Sequence, residues 1–198
     1  MTAKPKKPAA GNGQRNRKRN DSQSLSPKAV NPGRHSRLQQ ELLQKAPFSN
    51  MHAEAFLNLV RTADALQRRL RLALKPYRLT ETQFNALRIL RGAVDSSSTS
   101  PLSSSLPCSE IGERLVSHDP DITRLLDRLE RQRLIRRSRD EKDRRIVLTQ
   151  ITAEGLAQLK KLDAVVESCV NGMLGHLNAT ELHQLIHLLE QARNPKKS

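Results

Sequence analysis

The stretch Asp119–Thr152 restricts this chain more than any other, because its apolar spacing changes period within a few residues. In DPDITRLLDRLERQRLIRR (119–137), Ile122, Leu125, Leu126 and Leu129 fall on one face at ~100° per residue. Arg124, Asp127, Arg128 and Arg131 fall on the opposite face, with Thr123 at its edge. Asp119 reads as the N-cap, Pro120 as the first helical residue, and Asp121 as an acid suited to the positive end of the helix dipole. Directly afterwards, LIRRSRDEKDRRIVLTQIT (134–152) has two β-rich arms around RDEKD, which predicts a hairpin. A fold for this chain must therefore set an arginine-faced helix immediately before a basic hairpin.

The flanking segments are helical in pattern. Phe56, Leu59, Val60, Ala63, Leu66 and Leu70 recur at helical spacing across about 48–75, and Lys75-Pro76 ends the run. Thr80-Glu81-Thr82-Gln83 is a capping box with Leu79 and Phe84 as its hydrophobic staple, and the helix it opens should stop near Gly92. Residues 96–107 hold seven serines and read as a loop, after which Ser109 can cap a short helix reaching about Val116. Thr152 starts a long helix, about 153–176, with the stripe Leu159, Leu162, Val166, Cys169, Met173 and Leu177. Asn178 and Glu181 form a second capping box, stapled by Leu177 and Leu182, for a last helix over about 179–192. Thirty leucines against four aromatics argue for a leucine-packed helical core and against single-strand binders that stack bases on exposed rings.

Charge narrows the partner. Lys and Arg outnumber Asp and Glu by 35 to 20, which points to a polyanion, nucleic acid before an anionic membrane. No run of seven apolar residues occurs, so neither a membrane span nor a signal-peptide core is expected. Two cysteines, Cys108 and Cys169, cannot build a disulfide framework or a Cys-only zinc site, and a reduced cytoplasmic protein is the simplest expectation. Residues 1–47 carry 11 basic and 2 acidic side chains and are rich in Pro, Gly, Asn, Gln and Ser. Residues 1–46 are accordingly read as a disordered basic tail, with at most a short helix across 38–45; residues 194–198 are read as a C-terminal tail. The basic clusters Lys4, Lys6, Lys7 and Arg15, Arg17, Lys18, Arg19 suit nonspecific phosphate contact or a solubilising leader equally well.

Taken alone, this helix would be an ordinary amphipathic surface helix. A short helix, an arginine-faced helix and a basic hairpin in that order change this, because together they make a winged helix-turn-helix. The recognition face is then Thr123, Arg124, Asp127, Arg128 and Arg131, aimed at base edges and phosphates of the major groove. Arg139, Lys142, Arg144 and Arg145 belong to the wing, where arginine suits the narrow minor groove, and Asp143 is expected to pair with a neighbouring arginine and shape the wing. The stripes on the long helices exceed what one small winged domain can cover, which suggests a second copy.

The block DITRLLDRLERQRLIRR…DEKDRRIVLTQITAEG resembles the signature of the multiple-antibiotic-resistance regulator (MarR) family, with LTETQFNALRIL and SEIGERL standing where that family has its second and third helices. The resemblance covers roughly residues 50–193. It implies a mainly α, winged helix-turn-helix transcription factor over 47–193, with its DNA-binding part at about 79–151. It further implies a homodimer formed by the N- and C-terminal helices, a palindromic double-stranded DNA site, repression, and a small-molecule effector that shifts the spacing of the two recognition helices. Carried over residue by residue, the wing acid and minor-groove arginine fall on Asp143 and Arg145. The recognition contacts fall near Thr123, Arg124, Asp127 and Arg128. Three departures stand out: the serine-rich loop is longer, Gln132-Arg133 replace a Gly common after the recognition helix, and no cysteine lies early in the first long helix where some members sense peroxide.

Other chemistries find little support. His183, His187 and Glu190 have a chelating spacing, but both histidines flank the Leu182, Leu185, Ile186 and Leu189 stripe, where polar residues belong, so no metal is assigned. Cys169 lies on an apolar stripe as an inert thiol, and Cys108 is read in a loop where oxidation is open to it. No glycine-rich phosphate loop, nucleophile elbow or paired acid–base cluster appears, so neither catalysis nor a cofactor is expected. The alternative from another class is a nonspecific nucleic-acid-binding structural protein acting through the basic tail.

Overall fold

Most helix starts in this protein are set by a side chain that accepts the first free amides, and these caps punctuate the chain in a computed structural model describing residues 1–2, 36–93, 105–116 and 121–194. The chain divides into two units, residues 1–47 and 48–198. In the first, Ser36 caps α1 (Arg37–Glu41), its hydroxyl accepting from the Gln39 N–H at 3.2 Å. The tail reading therefore meets one helical turn at 37–41, while residues 3–35 lie outside the described residues.

In the second unit, Asn50 caps α2 (Met51–Leu74), and a 3-10 turn at Lys75–Tyr77 ends it at Pro76. The Thr80–Gln83 capping box opens α3 (Glu81–Gly92), with both reciprocal bonds formed, at 3.2 and 3.0 Å, and both staple residues, Leu79 and Phe84, buried. Then come β1 (Leu106–Pro107), α4 (Cys108–Arg114), α5 (Ile122–Arg131), β2 (Ile135–Arg139) and β3 (Val147–Ile151). Thr152 caps α6 (Ala153–Leu174), and the Asn178–Glu181 box opens α7 (Ala179–Arg193). The fold is mainly α, a winged helix-turn-helix with a small antiparallel sheet ordered β1-β3-β2.

Three local expectations change. Leu106–Pro107, expected at the end of a serine-rich loop, pairs with Thr149 and Leu148 as a third strand; two residues are too few for an alternation to register. Residues 94–104 of that loop lie outside the described residues. Helix α4 begins two residues earlier than a Ser109 cap implies: Pro107 precedes it without a side-chain cap, Ser109 sits in its first turn, and Val116 lies beyond its end, exposed. The N-cap of α5 is Asp121, whose carboxylate accepts from the Arg124 N–H at 3.1 Å; Asp119 and Pro120 lie outside the described residues.

One core joins α2 through α6 and the sheet. Leu74, Leu87 and Leu90, Ile111, Leu126 and Leu129, Ile135 and Ile151, and Leu159 and Leu162 are essentially inaccessible to water. Each such side chain contributes roughly 1.5–3 kcal/mol relative to exposure. The turn after α5 is seated in that core. Arg133 takes φ 59°, its N–H donates to Glu130 O at 2.8 Å, and the Leu134 N–H donates to Leu129 O at 3.0 Å. This is a Schellman ending with an arginine where glycine is usual, so the Gln132-Arg133 departure leaves the turn's hydrogen bonds intact. The Arg133 and Leu134 carbonyls accept from the Thr152 hydroxyl and N–H, at 2.7 and 3.0 Å, and a Cβ on Gly155 would collide with the Leu134 oxygen. The recognition-helix exit is thereby fixed to the start of α6.

Outside this core the apolar stripes are only partly covered. Phe56, Leu59 and Val60 on α2 and Ile186 and Leu188 on α7 are exposed, and α7 has no buried residue. Among the described residues, no helix is long and apolar enough to cross a membrane.

Candidate nucleic-acid interface

Helix α5 separates its faces cleanly. Leu125, Leu126 and Leu129 are buried, Ile122 packs partly against the same core, and Thr123, Arg124, Arg128 and Arg131 are exposed. Arg124 Nε lies 3.0 Å from the Asp121 carboxylate, and Arg131 Nε donates to the Asp127 carbonyl at 3.4 Å. These arginines are held only by weak surface contacts, which water or phosphate can displace at little cost.

Asp127 differs from its neighbours. It is half-buried, and its carboxylate accepts from Arg137 Nη2 of β2 at 2.5 Å. The same Arg137 donates to Glu130 through Nε at 2.9 Å, Nη2 at 2.7 Å and its main-chain N–H at 3.0 Å. Glu130 first, then Asp127, raise the Arg137 guanidinium above its ordinary value, against the opposing effect of burial. Asp127, which the sequence places on the base-reading face, thus also bonds to a strand of its own chain. Sequence reasoning missed Arg137 and Glu130 because the partners lie seven and ten residues apart on two different elements.

The wing loop is built on two aspartates. Asp140 Oδ1 accepts from the Lys142 and Asp143 N–H groups at 2.7 and 2.9 Å, and these bonds, Asp143's first, hold its carboxyl below the ordinary carboxylate range. Asp143 Oδ1 accepts from the Arg145 N–H at 2.9 Å, so it meets its neighbouring arginine through the main chain. Asp140, unmarked in the sequence reading, carries an Asx turn that its position ahead of a Lys-Asp pair could have signalled. The loop displays Arg139, Lys142, Arg144 and Arg145, all exposed.

Helix and wing face each other across a cleft of about 470 Å³ lined by Pro107, Cys108, Ser109, Thr123, Arg145 and Val147. A second, of about 320 Å³, lies between α3 and α5 and brings Arg124 and Arg128 together beside Thr82 and Gln83. Thr123 and Arg145 therefore share one cleft, Arg124 and Arg128 the other, and Arg139 and Arg144 the wing tip. Cys108 opens α4, where the sequence had suggested a loop; its thiol lies 3.4 Å from Val147 O and 3.5 Å from Thr149 Oγ1. Cys169 is half-buried. His187 Nε2 lies 3.0 Å from Gln191 Nε2, and no group of three or more metal-ligating residues occurs among the described residues.

Known proteins share this architecture. Residues 79–147 match the MarR family model. A MarR transcription factor from Planctomyces limnophilus is 37% identical, with a TM-score of 0.54, over 73% of this chain and 98% of that one. The homoprotocatechuate degradative operon repressor of Escherichia coli is 28% identical over 141 residues, 71% of this chain and 88% of the repressor. A mutant MarR from E. coli, solved in complex with operator DNA, superposes with a TM-score of 0.63 at 23% identity over 74% of this chain and 99% of that one.

Proposed function

Since the chain belongs to the MarR family of DNA-binding transcription regulators, we propose that it is a homodimeric repressor of a palindromic operator, released by a small-molecule effector. The observation that carries this reading is the split face of α5: three leucines anchor it while Thr123, Arg124, Arg128 and Arg131 stand exposed. A buried back holds the helix rigidly, and exposed guanidinium forks can reach guanine O6/N7 or phosphates. The wing then supplies Arg145 to an adjacent minor groove, with Arg139, Lys142 and Arg144 on the flanking backbone, while Asp143 shapes the loop. The exposed apolar residues of α2 and α7 support a dimer, whose two-fold axis would demand a palindrome. The arginine-lined clefts beside Thr123 and Arg128 suit an anionic effector, which would compete with DNA for the same side chains.

Binding across a library of single-base operator variants tests the reading elements. Arg128→Ala should relax specificity at one symmetry-related pair of positions, by about 1–3 kcal/mol. Arg145→Ala should weaken operator binding strongly and relax only the A·T preference of the flanks. A uniform loss at every position for Arg128→Ala, or unchanged affinity for Arg145→Ala, contradicts the assignment.

A further inference from the structure

We propose that Arg137 is a positioning residue for DNA reading, fixing the wing at one separation from the recognition helix so that both meet the duplex as a single unit; this rests on the DNA-binding reading above. The apolar contacts already hold both elements to the core: Leu125, Leu126 and Leu129 from α5, Ile135 and Ile151 from the sheet. Those contacts are non-directional and tolerate small slides of strand against helix. The Arg137 fork is directional. Through Nε and Nη2 it engages Glu130, and through Nη2 also Asp127, while its main-chain N–H engages Glu130 as well. Four bonds to two carboxylates one helical turn apart can be kept only at one height and rotation of β2 along α5.

The location of the clamp matters as much as its geometry. Arg137 lines the cleft that has Thr123 of α5 on one side and Arg145 of the wing on the other. A change at Arg137 therefore alters the distance between a residue assigned to the major groove and the residue assigned to the minor groove. Its side chain is only 21% exposed, so its ion pairs are screened less than the surface pairs of Arg124. It also offsets part of the negative charge of Asp127 and Glu130, which would otherwise face the phosphates uncompensated.

The test uses the full chain, an operator fragment recovered by selection from genomic DNA, and two altered fragments. These carry one base pair inserted or deleted between the segment read by α5 and the A·T flank. The wild-type protein should lose about tenfold in affinity on each altered fragment, the size of one lost base-pair contact. Arg137→Gln, Arg137→Lys and the double variant Asp127→Asn/Glu130→Gln should bind all three fragments within about threefold of one another, because each removes the fork. A residue that only stabilised the fold would reduce the active fraction equally for every fragment and keep the wild-type ratio. A wild-type ratio in the double variant, or its restoration by Arg137→Lys, overturns the proposal. A wild-type chain that prefers none of these fragments to random duplex overturns the DNA reading itself, and this proposal with it.

Discussion

The winged segment, residues 79–151, and the outer ends of the long helices follow the same leucine-rich pattern but meet opposite fates. In the winged segment the pattern is answered within one chain: Leu87, Leu90, Leu126 and Leu129 are fully buried, and the polar face that remains is cationic. On α2 and α7 the same spacing leaves Phe56, Leu59, Val60 and Ile186 in water. Periodicity therefore reports that a face wants cover, and only packing reports whether the chain supplies it. The first region closes its core within the chain, against Leu74, Leu159 and Leu162 of the long helices, and the second we propose is covered by another copy.

Substitutions in the two regions should break differently. Leu126→Ala removes a side chain with no exposure and should cost about 2–5 kcal/mol, read as a lower urea midpoint at equal protein concentration. Phe56→Asp combined with Ile186→Asp should leave the winged core folded but convert a sedimentation mass of two chains into one of 22.3 kDa. A wild-type protein that already sediments as one chain would erase the contrast. A smaller effect lies at the seam between regions, where Arg133 holds φ 59° ahead of α6. Arg133→Gly should raise stability by about 1 kcal/mol or less, seen as a higher urea midpoint at unchanged slope. A lower midpoint would mean that the arginine side chain contributes more than its backbone strain.

The smallest effect concerns the pair that ties the reading head to the long helices. Arg91 of α3 donates to Asp163 of α6 through both Nη atoms, at 2.7 and 3.0 Å. Both side chains are a third or more exposed, so Asp163→Asn should cost only about 0.2–1 kcal/mol. The Arg91 guanidinium holds the Asp163 carboxyl below its ordinary value. A depressed carboxyl contributes stability above the unfolded-state range and loses it as pH falls through the folded value. The gap between wild type and variant should therefore be full at neutral pH and close below about pH 4, and high salt should narrow it. A gap independent of both pH and salt would assign the cost to packing.

Much of this architecture is legible in the sequence because its signals are local. The boxes Thr80–Gln83 and Asn178–Glu181 act over three residues, and the α5 stripe repeats within two turns, so residue order alone exposes them. What escapes sequence reading depends on contacts between elements. Leu106–Pro107 becomes a strand only because β3 offers an edge, and the Asp127–Arg137 pair forms only because β2 returns along α5. Asp140 outranks Asp143 in shaping the wing because the loop closes around its carboxylate, through two amides that follow it.

We propose that two reading heads, joined through the exposed apolar residues of α2 and α7, engage one duplex together. The most direct measurement is the mass of the saturated complex, by sedimentation, on a short duplex carrying the selected operator. Two chains per duplex are expected across the whole titration, with no one-chain intermediate, and half-sites about one helical turn apart. One chain per duplex at saturation, with affinity unchanged when one half-site is scrambled, would contradict it.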